Sequence, residues 1–290
     1  LDVFDTALMR LCYKPTDIFK IIESRISVNP DFDSIGGFAL ARILAEERAR
    51  NNHKGEVTLE EIYDVCASIL DVDIKTADKL KDLELLIEER LLYPNSNILD
   101  LARKAHERGL KIIYISDMYL SAKQISRWLM QSGYPDGKVF VSSELKESKH
   151  SGEIYHLVQK EIQFKSNEII HIGDNLNSDF VKAQEHGINA IHFQESMRSK
   201  AWFEEVSPLI NTKEDLLSSL LAGIVRQKHI QGSLQGKSLL HRLGVELAGP
   251  LYFSYIRWLC HNAKEDGVKR LLLLGRDGYY FKLLDTNYHL

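Results

Sequence analysis

The sequence predicts an α/β protein: a doubly wound parallel sheet with an all-helical insert after its first strand, then a helical segment and the start of a second α/β unit. Three observations predict it. Short apolar runs alternate with helical patterns between residues 98 and 193, at the spacing of βα units. Residues 15–92, by contrast, carry helical patterning that no strand-like alternation interrupts. After a second helical stretch, Arg270-Leu-Leu-Leu-Leu274 reads as one more buried strand.

Taken in order, Leu1 to Phe4 reads as the end of a strand that turns at Asp5-Thr6. In the insert, residues 39–50 are rich in helix formers, and Thr58-Leu-Glu-Glu61 has the spacing of a capping box. Leu83, Leu86, Ile87 and Leu91 share one face of a helix over 79–92, which Pro94-Asn95 ends. A helix over 98–108 stops at Gly109, and Lys111-Ile-Ile-Tyr-Ile-Ser116 has the composition of a buried parallel strand. Helices then follow over 121–131, 154–162 and 179–186, with strands over 138–142, 168–173 and 190–193. Helices alternating with parallel strands make the layering Rossmann-like. The predicted domains are a core of 1–11 and 94–195, an insert of 12–93, a helical linker of 196–235, and a truncated second α/β unit of 236–290.

Composition excludes several classes. At about 150 residues per domain, 290 residues suggest two domains. With 44% hydrophobic and 27% charged residues, the chain is neither disordered nor low in complexity. The net charge is −4 and no basic stripe is present, which argues against nucleic acid as a partner. Arg42 to Arg50 is interleaved with Glu46 and Glu47 and reads as a solvated helix face. Cys12, Cys66 and Cys260 are too scattered for a zinc knuckle or a redox dithiol, and an odd count suits a reducing cytoplasm. No signal peptide is visible, and the longest apolar stretch, residues 247–260, is broken by Pro250 and Arg257, so no membrane span is expected. Both ends read as cut, which points to further domains of a longer parent chain.

In an open parallel sheet, ligands bind at the carboxyl ends of the strands. There the sequence places Asp2, Asp5 and Thr6, then Ser116 and Asp117, then Lys149, then Asp174 and Asp179. Clustered carboxylates repel unless a cation neutralises them, and oxygen ligands of this kind suit Mg²⁺. A carboxylate can also attack a phosphoryl group, while a lysine and a hydroxyl hold its oxygens.

These residues resemble the haloacid-dehalogenase-like hydrolases, with four motifs in order over residues 1–195. Leu1-Asp-Val-Phe-Asp-Thr6 is similar to the first, with Asp2 in the nucleophile position and Thr6 four residues on. Ile113-Tyr-Ile-Ser116, Lys149 and Gly173-Asp-Asn-Leu-Asn-Ser-Asp179 are similar to the rest. The resemblance implies catalytic roles for Asp2, Thr6, Ser116 and Lys149, with phosphate bound by Ser116, Asp117 and Lys149. It implies magnesium held by Asp2, the Phe4 backbone carbonyl, Asp174 and Asp179, with the insert closing over the site as a helical cap. A Mg²⁺-dependent phosphatase acting on a small phosphorylated substrate is the expectation. One departure matters: Phe4 stands where most phosphatases of the superfamily carry an acid/base Asp. That keeps two alternatives open, a catalytically degenerate binding module and a dehalogenase-type hydrolase. Ser116-Asp-Met-Tyr-Leu120, Arg42-Ile-Leu-Ala-Glu46 and Leu273-Leu-Gly-Arg-Asp-Gly278 further resemble a bacterial subfamily of long proteins that occur with surface-polysaccharide biosynthesis and glycosyltransferase domains.

Plainer roles compete at several positions. Asp5 suits an Asx-turn, and Asp117 suits capping of the next helix. Asp179 is open to ligating a metal, orienting Lys149, or capping. His171, inside an apolar strand, reads as a satisfied core histidine, and Arg276 and Asp277 read equally as a turn or a second site.

Overall fold

The computed structural model describes residues 1–32, 35–195 and 216–288. Two compact units divide the chain, Leu1–Arg198 and Ser199–Leu290.

In the first unit, β3 (Ile113–Ser116) pairs in parallel with β4 (Lys138–Val141), and β5 (Ile170–Gly173) with β6 (Asn189–His192). Leu1 and Asp2 bridge the two pairs. The Ile115 N–H donates to the Leu1 carbonyl and the Asp2 N–H to the Ile172 carbonyl, both at 2.9 Å. The order is therefore β4, β3, residues 1–2, β5, β6, with Asp2 in the middle. The expected first strand is shorter than residues 1–4, because Val3 turns away to accept a bond from the Leu8 N–H at 2.7 Å. Asp5 follows with φ 59, a left-handed conformation that Asp tolerates better than most residues.

The insert leaves and rejoins the core through a ribbon that the sequence pattern missed. In it, β1 (Leu8–Arg10) pairs antiparallel with β2 (Leu92–Pro94). Three-residue strands carry too little alternation to register against a helical background. Between them lie α1 (Asp17–Ile26), α2 (Phe38–His53), α3 (Leu59–Leu70) and α4 (Ile74–Leu91). Helix α2 packs on α1 and α3, and α4 packs on the same two, which closes a four-helix bundle. Ile22, Ala45, Ile62 and Leu80 are among the residues buried in this unit. The capping box of α3 is formed as predicted, with Thr58 and Glu61 each satisfying the other's backbone N–H.

Around the sheet lie α5 (Ser96–Glu107), α6 (Ala122–Gln131), α7 (Ser142–Leu145) and α8 (Glu153–Ile162). Ile115, Phe140, Ile154, Tyr155, Val158, Ala183 and Ile188 form one buried cluster behind the strand ends. The helix expected over 179–186 differs. It opens as a wide π-type turn, Leu176–Val181, whose first N–H groups are capped by the Asn175 side chain, and only Lys182–Glu185 is α-helical.

The second unit holds helices at Leu216–Ile230, Leu239–Leu243, Gly249–Glu265 and Asp277–Tyr288. The proposed linker, residues 196–235, lies partly outside the described residues. Residues 270–274, expected as a buried strand, have no strand partner among the described residues, and Leu272 and Leu274 are 81% and 82% exposed. A strand exists only as a pairing, so the apolar run by itself does not make one. Among the described residues, no helix is long and apolar enough to cross a membrane.

Candidate active site

The predicted residues gather at one rim because a parallel sheet presents all its carboxyl ends on one side. Asp2 ends the central stub, Ser116 ends β3, Lys149 follows β4, and Asp174 follows β5. Asp2, Thr6, Ser116, Lys149 and Asp179 are all buried.

Lys149 joins the cluster. Its ammonium donates to Asp2 Oδ1 at 2.5 Å and to Asp179 Oδ1 at 2.6 Å. It is thus a buried site residue and not a surface lysine. Asp117 does not cap the next helix, a role that Ser121 takes. Instead its carboxylate accepts the Lys149 N–H at 2.8 Å and the His150 N–H at 3.2 Å, which fixes the lysine loop against β3. Asp179 accepts further bonds from His171 Nε2 at 2.8 Å and the Asn175 N–H at 3.1 Å. A side chain on Gly173 would collide with the Asp179 carboxyl, so this glycine is required by space and not by backbone conformation.

Carboxylate oxygens of Asp2, Asp174 and Asp179 lie within 4.8 Å of one another. Burial pushes the Asp174 carboxyl up to about 8, with the charges of Asp2, Asp5 and Asp179 adding to the effect. Burial also raises Asp2, to about 6, against the pull of Lys149. Asp179 goes the other way: despite burial, Lys149 and His171 hold it well below the usual carboxylate range. Asp2 Oδ2 and the Thr6 hydroxyl are buried and have no hydrogen-bond partner. An orphaned carboxylate oxygen, among three acids opposed by one ammonium, is the donor set a divalent cation fits.

Phe4 packs its ring under the Arg10 guanidinium, 4.3 Å from the ring centroid. Arg10 in turn bonds Glu88 at 2.7 Å and faces Asp5 at 3.5 Å. Sequence reasoning missed Arg10 and Glu88, because 78 residues separate them and β1 meets the end of α4 only in the folded chain. It also misjudged Arg42. This residue is fully buried and bonds Glu84 twice at 2.8 Å, so the solvated-face reading is corrected.

The cap also meets the core through the start of α3 and the residues just before it. The Leu59 N–H donates to the Tyr119 carbonyl at 2.9 Å, and the Ser142 hydroxyl donates to Glu56 at 2.7 Å. Lys146 donates to the Glu56 carbonyl at 3.1 Å and to Glu61 at 3.3 Å.

With this geometry in view, a family model for haloacid dehalogenase-like hydrolases matches residues 20–187. The match covers more than half of the chain, and the chain belongs to that family. Among solved structures, a 2-haloacid dehalogenase from Pseudomonas syringae is 14% identical over 67% of this chain and 86% of that one, at a TM-score of 0.48. An L-2-haloacid dehalogenase from Xanthobacter autotrophicus, with chloropropionic acid covalently bound, is 13% identical over 76% and 86%, at 0.46. A family enzyme from Bacteroides thetaiotaomicron, as its magnesium complex, is 18% identical over 66% and 90%, at 0.44. No curated protein matches the chain.

Proposed function

We propose that this hydrolase is a magnesium-dependent phosphatase that acts through an aspartyl-phosphate on a small phosphorylated metabolite. The resemblance to surface-polysaccharide proteins makes sugar phosphates the first class to try. One observation carries the reading. Asp2 is a buried carboxylate with one oxygen on Lys149 and the other without a partner, inside a cluster with excess negative charge.

The unpartnered Oδ2 of Asp2 is free to attack phosphorus in line. The bond to the leaving oxygen breaks, Asp2 carries the phosphoryl group as an acyl phosphate, and water returns carboxylate and phosphate. Lys149 and the Ser116 hydroxyl would hold phosphoryl oxygens, Thr6 would support the nucleophile, and Asp117 keeps the lysine loop in place. Asp2, Asp174 and the Phe4 carbonyl, with Asp179 in support, would hold Mg²⁺, whose chemistry there is neutralisation of phosphoryl charge. Phe4 cannot deliver a proton, so esters with good leaving groups turn over fastest.

A panel of aryl and sugar phosphates, with and without Mg²⁺, tests this. Turnover that falls on the order of 10³-fold in Asp2→Asn supports it; absent or Asp2-independent turnover overturns it. A second reading, a binding module without catalysis, is favoured by Phe4 lying stacked under Arg10. It gains if no ester turns over and magnesium with beryllium fluoride leaves the melting temperature unchanged. Halide release from a 2-haloacid would favour a dehalogenase.

A further inference from the structure

We propose that His171 is a positioning residue: it holds Asp179 in the orientation that ties Lys149 to Asp2. Only the kinetic arm of its test rests on the phosphatase reading.

The Asp179 carboxylate is constrained from several sides. Its Oδ1 accepts from Lys149 Nζ at 2.6 Å and from His171 Nε2 at 2.8 Å, and its Oδ2 accepts from the Asn175 N–H at 3.1 Å. Gly173 has no side chain beneath it, and a Cβ there would strike the carboxyl. An ionised carboxylate only accepts hydrogen bonds, so Nε2 of His171 carries the hydrogen. The imidazole is itself fixed. It is 2% exposed on β5 and meets the Tyr155 ring edge-on, with 5.4 Å between centroids. The Tyr155 hydroxyl donates to the Ser178 carbonyl at 2.8 Å, one residue before Asp179. Strand, ring and loop thus converge on a single carboxylate.

Lys149 needs that support. Its ammonium ends a flexible four-carbon stem, and two of its three donors go to Asp2 and Asp179. If Asp179 turns, the second anchor moves and the ammonium leaves Asp2. A core histidine kept only to fill space would not matter in this way, because a leucine fills much the same volume.

Three variants separate the two roles. His171→Gln offers an amide N–H where Nε2 stood, His171→Leu fills the space without a donor, and His171→Asn is polar but too short to reach. Crystal structures read the Lys149–Asp2 contact directly. We expect it kept in Gln and opened by about 1 Å or more in Leu and Asn. On an aryl phosphate, kcat in Leu and Asn falls about 10- to 100-fold with KM within about twofold, and Gln restores it to within about threefold. If Leu does not fold, Asn carries the same expectation. The proposal is overturned if Leu or Asn keeps the Lys149–Asp2 contact, or if Gln loses it as they do. A wild type without turnover removes the phosphatase reading and leaves the structural arm to decide.

Discussion

Two clusters of buried charge lie in the same unit, and they are built on opposite rules. In the cap, Arg42 gives two bonds of 2.8 Å to Glu84, Tyr63 donates to the same carboxylate at 2.8 Å, and Phe19 together with Tyr119 from the core covers the guanidinium at 4.6 and 4.7 Å. The buried pair is neutral, and none of these side chains carries a buried unpartnered atom. In the core, Asp2, Asp174 and Asp179 face one ammonium, and Asp2 Oδ2 and Thr6 Oγ1 are left without partners. Burial of charge is therefore no sign of function by itself. The Arg42 cluster satisfies its own charges, whereas the core cluster holds more acids than ammonium and leaves buried polar atoms unpaired, which is what the proposed magnesium site rests on.

The largest expected effect separates activity from stability in the core. Asp2→Asn should cost turnover on the order of 10³-fold, about 4 kcal/mol, while leaving folding stability unchanged or higher. The amide relieves a site in which three acids share one ammonium, and Lys149 keeps its bond to Asp179. Urea unfolding reads the second half, and a loss above about 1 kcal/mol would break the contrast.

The cap should behave in reverse. Arg42→Met leaves Glu84 buried without its cation and should cost about 3–5 kcal/mol. The double variant Arg42→Met with Glu84→Leu should recover most of that, because an apolar pair of similar volume needs no compensation. If the double variant is as unstable as the single, the cap cluster is worth more than its own neutralisation.

What the sequence made legible follows the same division. Asp2, Ser116 and Asp174 could be placed because each sits at or next to the end of an apolar strand run, and Lys149 and Asp179 because each follows such a run in the loop or turn before the next helix. Arg42 was misread because Glu46 at the next helical turn offered a local partner, while Glu84 lies 42 residues away on another helix. His171 was passed over for a related reason. In a strand of Ile and Gly it has the surroundings of a core residue, and only the turn at Leu176–Val181 brings Asp179 back onto it. Arg10 was hidden by the shortness of the strands that pair it across from Leu92. Strand ends are local signals, whereas partners chosen by tertiary packing leave no trace in spacing.

A smaller effect tests the proposed magnesium site in the core cluster. Mg²⁺ at 100 times its Kd should raise stability by about 2.7 kcal/mol if it binds only the folded chain. Asp174→Asn should abolish most of that gain, and Arg42→Met should leave it intact, since Arg42 touches no carboxylate of the core cluster. Differential scanning fluorimetry across a magnesium series tests both; an equal gain in Asp174→Asn would mean that the cation binds elsewhere.

The smallest effect comes from a third kind of cluster, half-buried and paired, at the capping box of α3. The Thr58 backbone N–H, helped by Lys146, holds the Glu61 carboxyl below its ordinary value. A carboxylate whose pKa is lower in the folded chain adds stability above its unfolded value and loses it as pH falls through the folded one. Glu61→Gln keeps an acceptor for the Thr58 N–H but drops the charge, so at neutral pH it should cost well under about 1 kcal/mol. Below the lowered pKa the wild-type side chain is neutral too, and the two proteins should converge. Paired urea titrations at neutral and acid pH read the difference. A gap that persisted in acid would locate the role of Glu61 in shape and not in charge, and would set this cluster beside the cap interior.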